Sequence, residues 1–373
     1  MPSTIDLLVR RDDPRQYRLV ESPVPEQDAL DDGELLMRIE KFGFSANNVT
    51  YAVLGKSPIV NYFDFFPTGD PDWGRVPVWG MGTIAASRHA TLAVGERMYG
   101  YFPLARFTRL RPARSTASGF DVDRGALPAA YNQYSLVRSD PFYLPGREDA
   151  MIVFRPLVLT SILLDDFLAE GNDWFGAESV MIASASSKTS FALAAMLTRR
   201  GSTRAIVGLT SARHAAFVAG LGVYSRVVTY DRVRELPRRP TVLVDVAGDA
   251  GLRQELRRHL AENLRTTITV GISHWDHARI ADPAAGATPE AHADAEPTVF
   301  FFAPAWLEKR REDWGAAALG TRVVSAWQDI MGRVDGWVRI VRGEGADAVT
   351  AVYAAMVAGG CGPDEAHVLS LWS

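Results

Sequence analysis

The chain has 373 residues, 47% of them apolar and 23% charged, with a formal net charge of −4. That length suits two ordinary domains, each able to bury a core, and the charge balance argues against polyanions as the main partner. Cys361 is the single cysteine, which excludes an intrachain disulfide and a multi-cysteine zinc site and suits a reducing, cytoplasmic setting.

No run approaches the roughly 18 uncharged apolar residues of a membrane span. Met1 to Arg11 lacks the apolar core of a secretory signal. Neither a membrane partner nor export is expected.

In chain order, Glu34 to Phe42 alternates, with Leu35, Met37 and Ile39 set against Leu36, Arg38 and Glu40, which predicts a half-buried strand. Val76 to Ala86 and Glu96 to Phe102 read as further short strands, punctuated by Gly80, Gly82, Gly95 and Gly100. Such spacing predicts a small β-barrel or sandwich. Leu104 to Arg124 is polar, basic and aperiodic, and predicts a long loop. Its Arg106, Arg109, Arg111 and Arg114 have only Phe107 interleaved, so they read as a solvated face and no nucleic-acid partner is expected.

Past Ala150 the character changes. Short apolar strands are predicted over Val180–Ala183, Ala205–Leu209, Arg226–Thr229, Thr241–Val246 and Thr266–Gly271, with helices over Phe191–Arg200 and Ala212–Leu221. Strands alternating with helices mean βαβ units and a parallel sheet. Ala278 to Pro297 reads as a loop. A helix over Ala305–Ala318, a strand over Trp337–Val341 and a helix over Ala346–Val357 follow. The fold class is α/β: a β-rich unit, a doubly wound unit, and a C-terminal segment that can rejoin the first.

The stretch from Val180, VMIASASSKTSFAL, runs a strand directly into a helix through very small residues. A helix N-terminus there offers amide groups and the positive end of a dipole to a phosphate. Ser184, Ser187 and Ser190 stand at the three spacings of a Gly-x-x-Gly-x-x-Gly fingerprint; Ser186, Lys188 and Thr189 complete the candidate set. A serine tolerates close approach less well than glycine, but its hydroxyl can donate to the phosphate. A turn that serves packing alone is the plain alternative. Lys188-Thr189 also mimics the end of a nucleoside-triphosphate loop, which would need glycines absent here. The next strand ends in Thr210, Ser211 and Arg213, where an NAD site would place an acid for the ribose. Hydroxyls and a cation suit a 2′-phosphate instead.

The order of these segments resembles the medium-chain dehydrogenase/reductase superfamily, in its zinc-free quinone and enoyl reductase branch. Gly33 to Gly43 resembles the first strand of its catalytic domain, Val76-Pro-Val-Trp-Gly-Met-Gly-Thr-Ile84 its Pro-x-x-x-Gly-x-Gly-x-Val turn, and Val94 to Gly100 its Val-Gly-Asp-Arg-Val-x-Gly strand start. Leu221-Gly-Val with Val228-Thr-Tyr230, Val244-Asp-Val-Ala-Gly248 and Thr269-Val-Gly271 resemble motifs of its cofactor domain. The resemblance implies a GroES-like β-barrel catalytic domain from residues 1–150 and 310–373, a Rossmann NADP-binding domain from residues 151–309, and a homodimer. It adds Tyr230, Gly248 and Gly271 to the expected NADP(H) contacts. In the zinc-binding members a cysteine and a His-Glu pair stand where this chain has Ser45 and Val78-Trp79, so no metal is expected.

The resemblance further implies NADPH-dependent, zinc-independent reduction of an activated double bond or a quinone, with a small-molecule substrate. Tyr51, four residues before Gly55, matches a tyrosine of such reductases; Asn47 and Asn48 lie beside it. A tyrosine packing the barrel floor and asparagines forming a turn are the alternatives. His274, after the Gly271 strand, is a candidate proton donor or a capping residue. Arg155 could address an anionic group, and Phe300 to Phe302 could line an apolar wall or sit in the core. Two other functions stay open: a non-catalytic NADPH-binding or scaffolding protein of the same fold, and a metal-free ketone reductase.

Overall fold

The computed structural model describes residues 3–57, 60–201, 203–270 and 298–373. The chain forms two compact units, one of Met1–Val153 with Arg339–Ser373, the other of Phe154–Val338.

In the first unit, β1 (Ser3–Arg10), β2 (Tyr17–Pro23) and β4 (Trp73–Arg75) form a small antiparallel sheet in the order β2-β1-β4. A larger sheet holds β3 (Leu35–Phe44), β5 (Pro77–Ser87), β6 (Arg97–Pro103), β7 (Phe107–Leu110), β8 (Pro112–Thr116), β9 (Gly119–Val122) and β10 (Gln133–Leu136). The chain's end adds β17 (Arg339–Glu344) and β18 (Glu365–Ser370), and the order is β17-β18-β3-β5-β6-β10-β9-β8, with β7 on β3. Helices α1 (Ala46–Val53) and α9 (Gly345–Val357) complete the unit. The β3, β5 and β6 strands lie where alternation predicts them. Gly80 is required because β3 passes so close: a Cβ there would stand 2.5 Å from the Lys41 carbonyl oxygen. Leu104 to Arg124 is corrected from a loop to β7, β8 and β9. These strands are short and only partly buried, so few of their positions are apolar enough to show a period of two.

The long helix α2 (Glu148–Glu170) begins in the first unit and continues into the second. Sequence reasoning misses it because Pro156 stands in its interior and reads as a breaker. Its acidic first turn is anchored by Lys41, whose Nζ lies 2.6 Å from Asp149 and 2.8 Å from Glu148.

The second unit contains α3 (Asn172–Phe175), β11 (Ser179–Ala183), α4 (Lys188–Arg199), β12 (Ala205–Thr210), α5 (Ala215–Gly220), β13 (Arg226–Thr229), β14 (Thr241–Asp245), α6 (Ala250–Leu260), β15 (Leu264–Thr269) and β16 (Thr298–Phe300). Its sheet is parallel throughout, in the order β13-β12-β11-β14-β15-β16. This is a doubly wound sheet, with its switch point between β11 and β14. Those two strands are buried along their whole length, as a sheet covered on both faces requires. Phe191 of α4 is fully buried, with its ring 5.2 Å from Trp337 and 6.4 Å from Phe154. Removing such a ring costs roughly 3–5 kcal/mol.

The helix expected over Ala305–Ala318 is two helices, α7 (Ala303–Trp314) and α8 (Ala316–Met331), broken at Gly315, whose φ of 77° only glycine adopts at little cost. Both belong to the second unit. The expected return to the first unit at residue 310 is therefore corrected to Arg339. Phe300 is exposed while Phe301 is buried, so the aromatic triplet is not one wall.

Candidate functional site

Ser184 follows β11 in the left-handed region, with φ at 52°, where the dinucleotide fingerprint would use glycine. Three contacts hold it there and fix the turn. The Ser184 amide donates to the Tyr230 hydroxyl (3.1 Å), the Ser187 amide to the Ser184 carbonyl (2.8 Å), and the Ala185 amide to the Leu209 carbonyl (3.0 Å). Gly208 makes room below: a Cβ there would meet that of Ala185 at 3.0 Å.

Ser187 is the N-cap of α4. Its Oγ accepts from the Ser190 amide (3.2 Å) and donates to the Ser190 Oγ (2.8 Å), which in turn donates to the Ala183 carbonyl (3.1 Å). The helical ladder starts with Phe191 N–H to the Ser187 carbonyl, so the amides of Lys188 and Thr189 precede it. The α4 mouth thus points donors and a positive dipole end at the strand's carboxyl edge, the geometry that receives phosphates.

Around this mouth the structure collects most of the expected cofactor residues. Ser186 Oγ lies 3.2 Å from Nδ1 of His214, a residue the sequence argument did not weigh; burial first, then Arg213, lowers the His214 pKa. Thr210 ends β12 and Ser211 follows it, and among the described residues neither buried hydroxyl has a partner. Arg213 follows in an exposed turn. Gly248 sits beyond the neighbouring β14, at φ 82°, its amide held by buried Asp245 (2.9 Å). Gly271 and His274 lie outside the described residues.

An NADP molecule fits this donor set. Buried orphan hydroxyls at Thr210 and Ser211 are costly unless a ligand meets them, and they stand where the ribose of a dinucleotide lies in doubly wound folds.

In the first unit Tyr51 is buried on α1. Its oxygen accepts from Asn47 Nδ2 (2.7 Å) and from Trp79 Nε1 (3.2 Å). Burial pushes its pKa up to about 12 against the lowering effect of these donors. Tyr62, Tyr101 and Tyr131 surround it, with ring centroids at 4.6, 5.6 and 6.4 Å. Asn48 does not share this site. It closes a capping box with Ser45, accepting from that amide at 2.9 Å, and donates to the Pro77 carbonyl at 3.0 Å. Its amide is spent on the turn, the plainer of its two alternatives. Arg155 lies half-buried on α2.

Trp79 and the surrounding tyrosines are the residues that sequence reasoning missed. A usable signal existed for two of them, Tyr101 and Trp79: Tyr101 alternates with Tyr99 on β6 and pairs across with Trp79 on β5. Among the described residues one group could hold a metal, Cys361, Glu365 and His367, whose ligating atoms lie within 4.8 Å of one another. Glu365 there also accepts from the Gly362 amide (3.1 Å).

A family model described as "Protein of unknown function (DUF2855)" matches residues 42–362. The chain belongs to this family. No curated protein matches it in sequence. In structure it is similar to CurA from Vibrio vulnificus in complex with NADPH, at 11% identity and a TM-score of 0.62 over 100% of each chain. It is also similar to the Etr1p complex with NADP and crotonyl-CoA, at 11% and 0.60 over 99% of this chain and 100% of that one. A quinone oxidoreductase from Coxiella burnetii follows at 14% and 0.54, over 99% of both chains. At such identities the likeness establishes the fold alone, a GroES-like unit joined to a Rossmann unit.

Proposed function

We propose that the chain binds NADP(H) and, without zinc, reduces an activated carbon–carbon double bond or a quinone. The observation that carries the cofactor half is the pair of buried, partnerless hydroxyls at Thr210 and Ser211, beside Arg213 and with no acid at the strand end. Crystals of structural neighbours with NADPH or NADP, among them an enoyl-type complex with crotonyl-CoA, support the reaction class. NADPH, when bound, supplies the hydride. The chain supplies the rest. The α4 mouth holds the phosphates, with Ser186, Lys188 and Thr189 around it. Tyr51 supplies a proton-bearing hydroxyl: Trp79 Nε1 can only donate, so with Asn47 it fixes the phenol oxygen as acceptor and leaves the phenolic proton to be given. A neutral donor aimed at a developing oxyanion contributes roughly 3–4 kcal/mol.

Zinc independence draws support from the two places where zinc members of the superfamily carry ligands. Here Ser45 caps α1 and Trp79 bonds to Tyr51. Among the described residues no helix is long and apolar enough to cross a membrane. A homodimer in a reducing compartment completes the proposal.

The test is oxidation of NADPH across a panel of enones, enoyl thioesters, quinones and ketones, with and without chelator. Turnover of an enone or quinone that survives chelation supports the proposal, and turnover of ketones alone replaces the substrate class. NADPH binding with no oxidation across the panel would make the chain a non-catalytic NADPH-binding protein. Stoichiometric zinc in active protein would contradict metal independence.

A further inference from the structure

We propose that the first unit carries a site for a small organic anion, a carboxylate or phosphate ester on a flat apolar body. A pocket of about 370 Å³ opens there, within the range of small-molecule sites. Four arginines line it, Arg75, Arg109, Arg111 and Arg124, and Asp6 is the one carboxylate among the lining residues. That carboxylate is spent: Arg75 grips it through Nε (2.8 Å) and Nη2 (2.6 Å). Arg111 is matched by Asp31 at 2.8 Å and Glu34 at 3.4 Å.

Arg109 and Arg124 are left over. Arg124 donates only to neutral groups, Asn132 Oδ1 at 2.9 Å and the Tyr134 hydroxyl at 3.0 Å, and lies over the Phe66 ring at 4.9 Å. Arg109 is exposed on β7, and among the described residues no carboxylate pairs with it or with Arg124. Two uncompensated guanidiniums on a concave surface focus positive potential into it. Their planar forks suit a carboxylate or phosphate.

A separate observation points the same way. Thr4 on β1 lines the pocket, and among the described residues its buried hydroxyl has no partner. Buried hydroxyls are as a rule bonded, and a bound anion would accept from this one. Phe66 and Phe107 supply flat apolar walls, which is why the anion should carry a ring rather than be inorganic.

Calorimetry on the full chain with phenyl phosphate, benzoate and inorganic phosphate tests this. Phenyl phosphate and benzoate should saturate one site, with inorganic phosphate about tenfold weaker or worse. Arg124→Gln and Arg109→Ala should each weaken both organic anions by about tenfold or more. Arg109 is exposed, so its loss leaves the fold intact. NADPH affinity should be unmoved by either change, which separates this site from the nucleotide loop. Absence of saturable binding by both organic anions, affinity unchanged in Arg109→Ala, or inorganic phosphate binding as tightly as phenyl phosphate would overturn the proposal.

Discussion

The nucleotide loop and the tyrosine cluster use hydroxyl groups in opposite ways. In the loop, the Ser187 and Ser190 hydroxyls are bonded to the backbone and to each other, and the amides of Lys188 and Thr189 precede the helical ladder. In the cluster, the phenols of Tyr51, Tyr62, Tyr101 and Tyr131 are buried among rings, and burial raises the pKa of each. An anion is held by donors that keep one face open and cannot reorganise. A proton is held by keeping water and charge away. Residue type alone does not assign a role: the same functional group is bonded to the backbone in one unit and buried among rings in the other.

A carboxylate at the loop should break the first half of this comparison most strongly. Ser187→Asp keeps a good N-cap, because Asp accepts from the same amide, but it sets a negative charge beside the amides that would meet the phosphate. NADPH affinity should fall by about a hundredfold or more while Tm stays put. Unchanged affinity would mean that the α4 mouth holds no phosphate.

The second half is sharpened by Tyr51→Phe, which removes the proton and keeps the ring. Turnover should drop by roughly a hundredfold, with NADPH affinity within about twofold of the parent. Unchanged turnover would return Tyr51 to a packing role.

The smallest expected effect concerns alkaline stability. Tyrosines in the unfolded chain ionise near ~10, whereas Tyr51 in the folded chain ionises at about 12, pushed up mainly by burial. Between those values the unfolded state gives up protons that the folded state keeps, so stability falls as pH rises. Below about pH 9.5 the cluster should contribute no pH dependence. Thermal melts from neutral to strongly alkaline pH would show a Tm level at first and then declining. A Tm that stays level through strongly alkaline pH would mean the phenols are not dry.

The loop was legible in the sequence because its members are contiguous. Val180 to Leu193 carries strand, turn and helix in one stretch, and the hydroxyl-for-acid exchange at Ser211 can be read without knowing any distance. That β11 to β15 form a parallel sheet followed from the same local alternation. The cluster was legible only at Tyr51. Its other members come from separated segments, Tyr62, Trp79, Tyr101 and Tyr131, brought together by β-pairing that leaves no single-segment trace. The strands β7 to β9 were missed for want of apolar alternation, and α2 because a proline inside a helix argues against it until tertiary packing overrides propensity. Asn48 shows the converse hazard: its position beside Tyr51 suggests chemistry, yet its bonds make it a cap.

We propose that the α4 mouth and the hydroxyls of Thr210 and Ser211 hold a nicotinamide dinucleotide carrying a 2′-phosphate. Calorimetric titration of the full chain with NADPH and with NADH measures it directly. One NADPH should bind per chain, at least about tenfold more tightly than NADH. Equal affinities, or no heat from either coenzyme, would contradict the account.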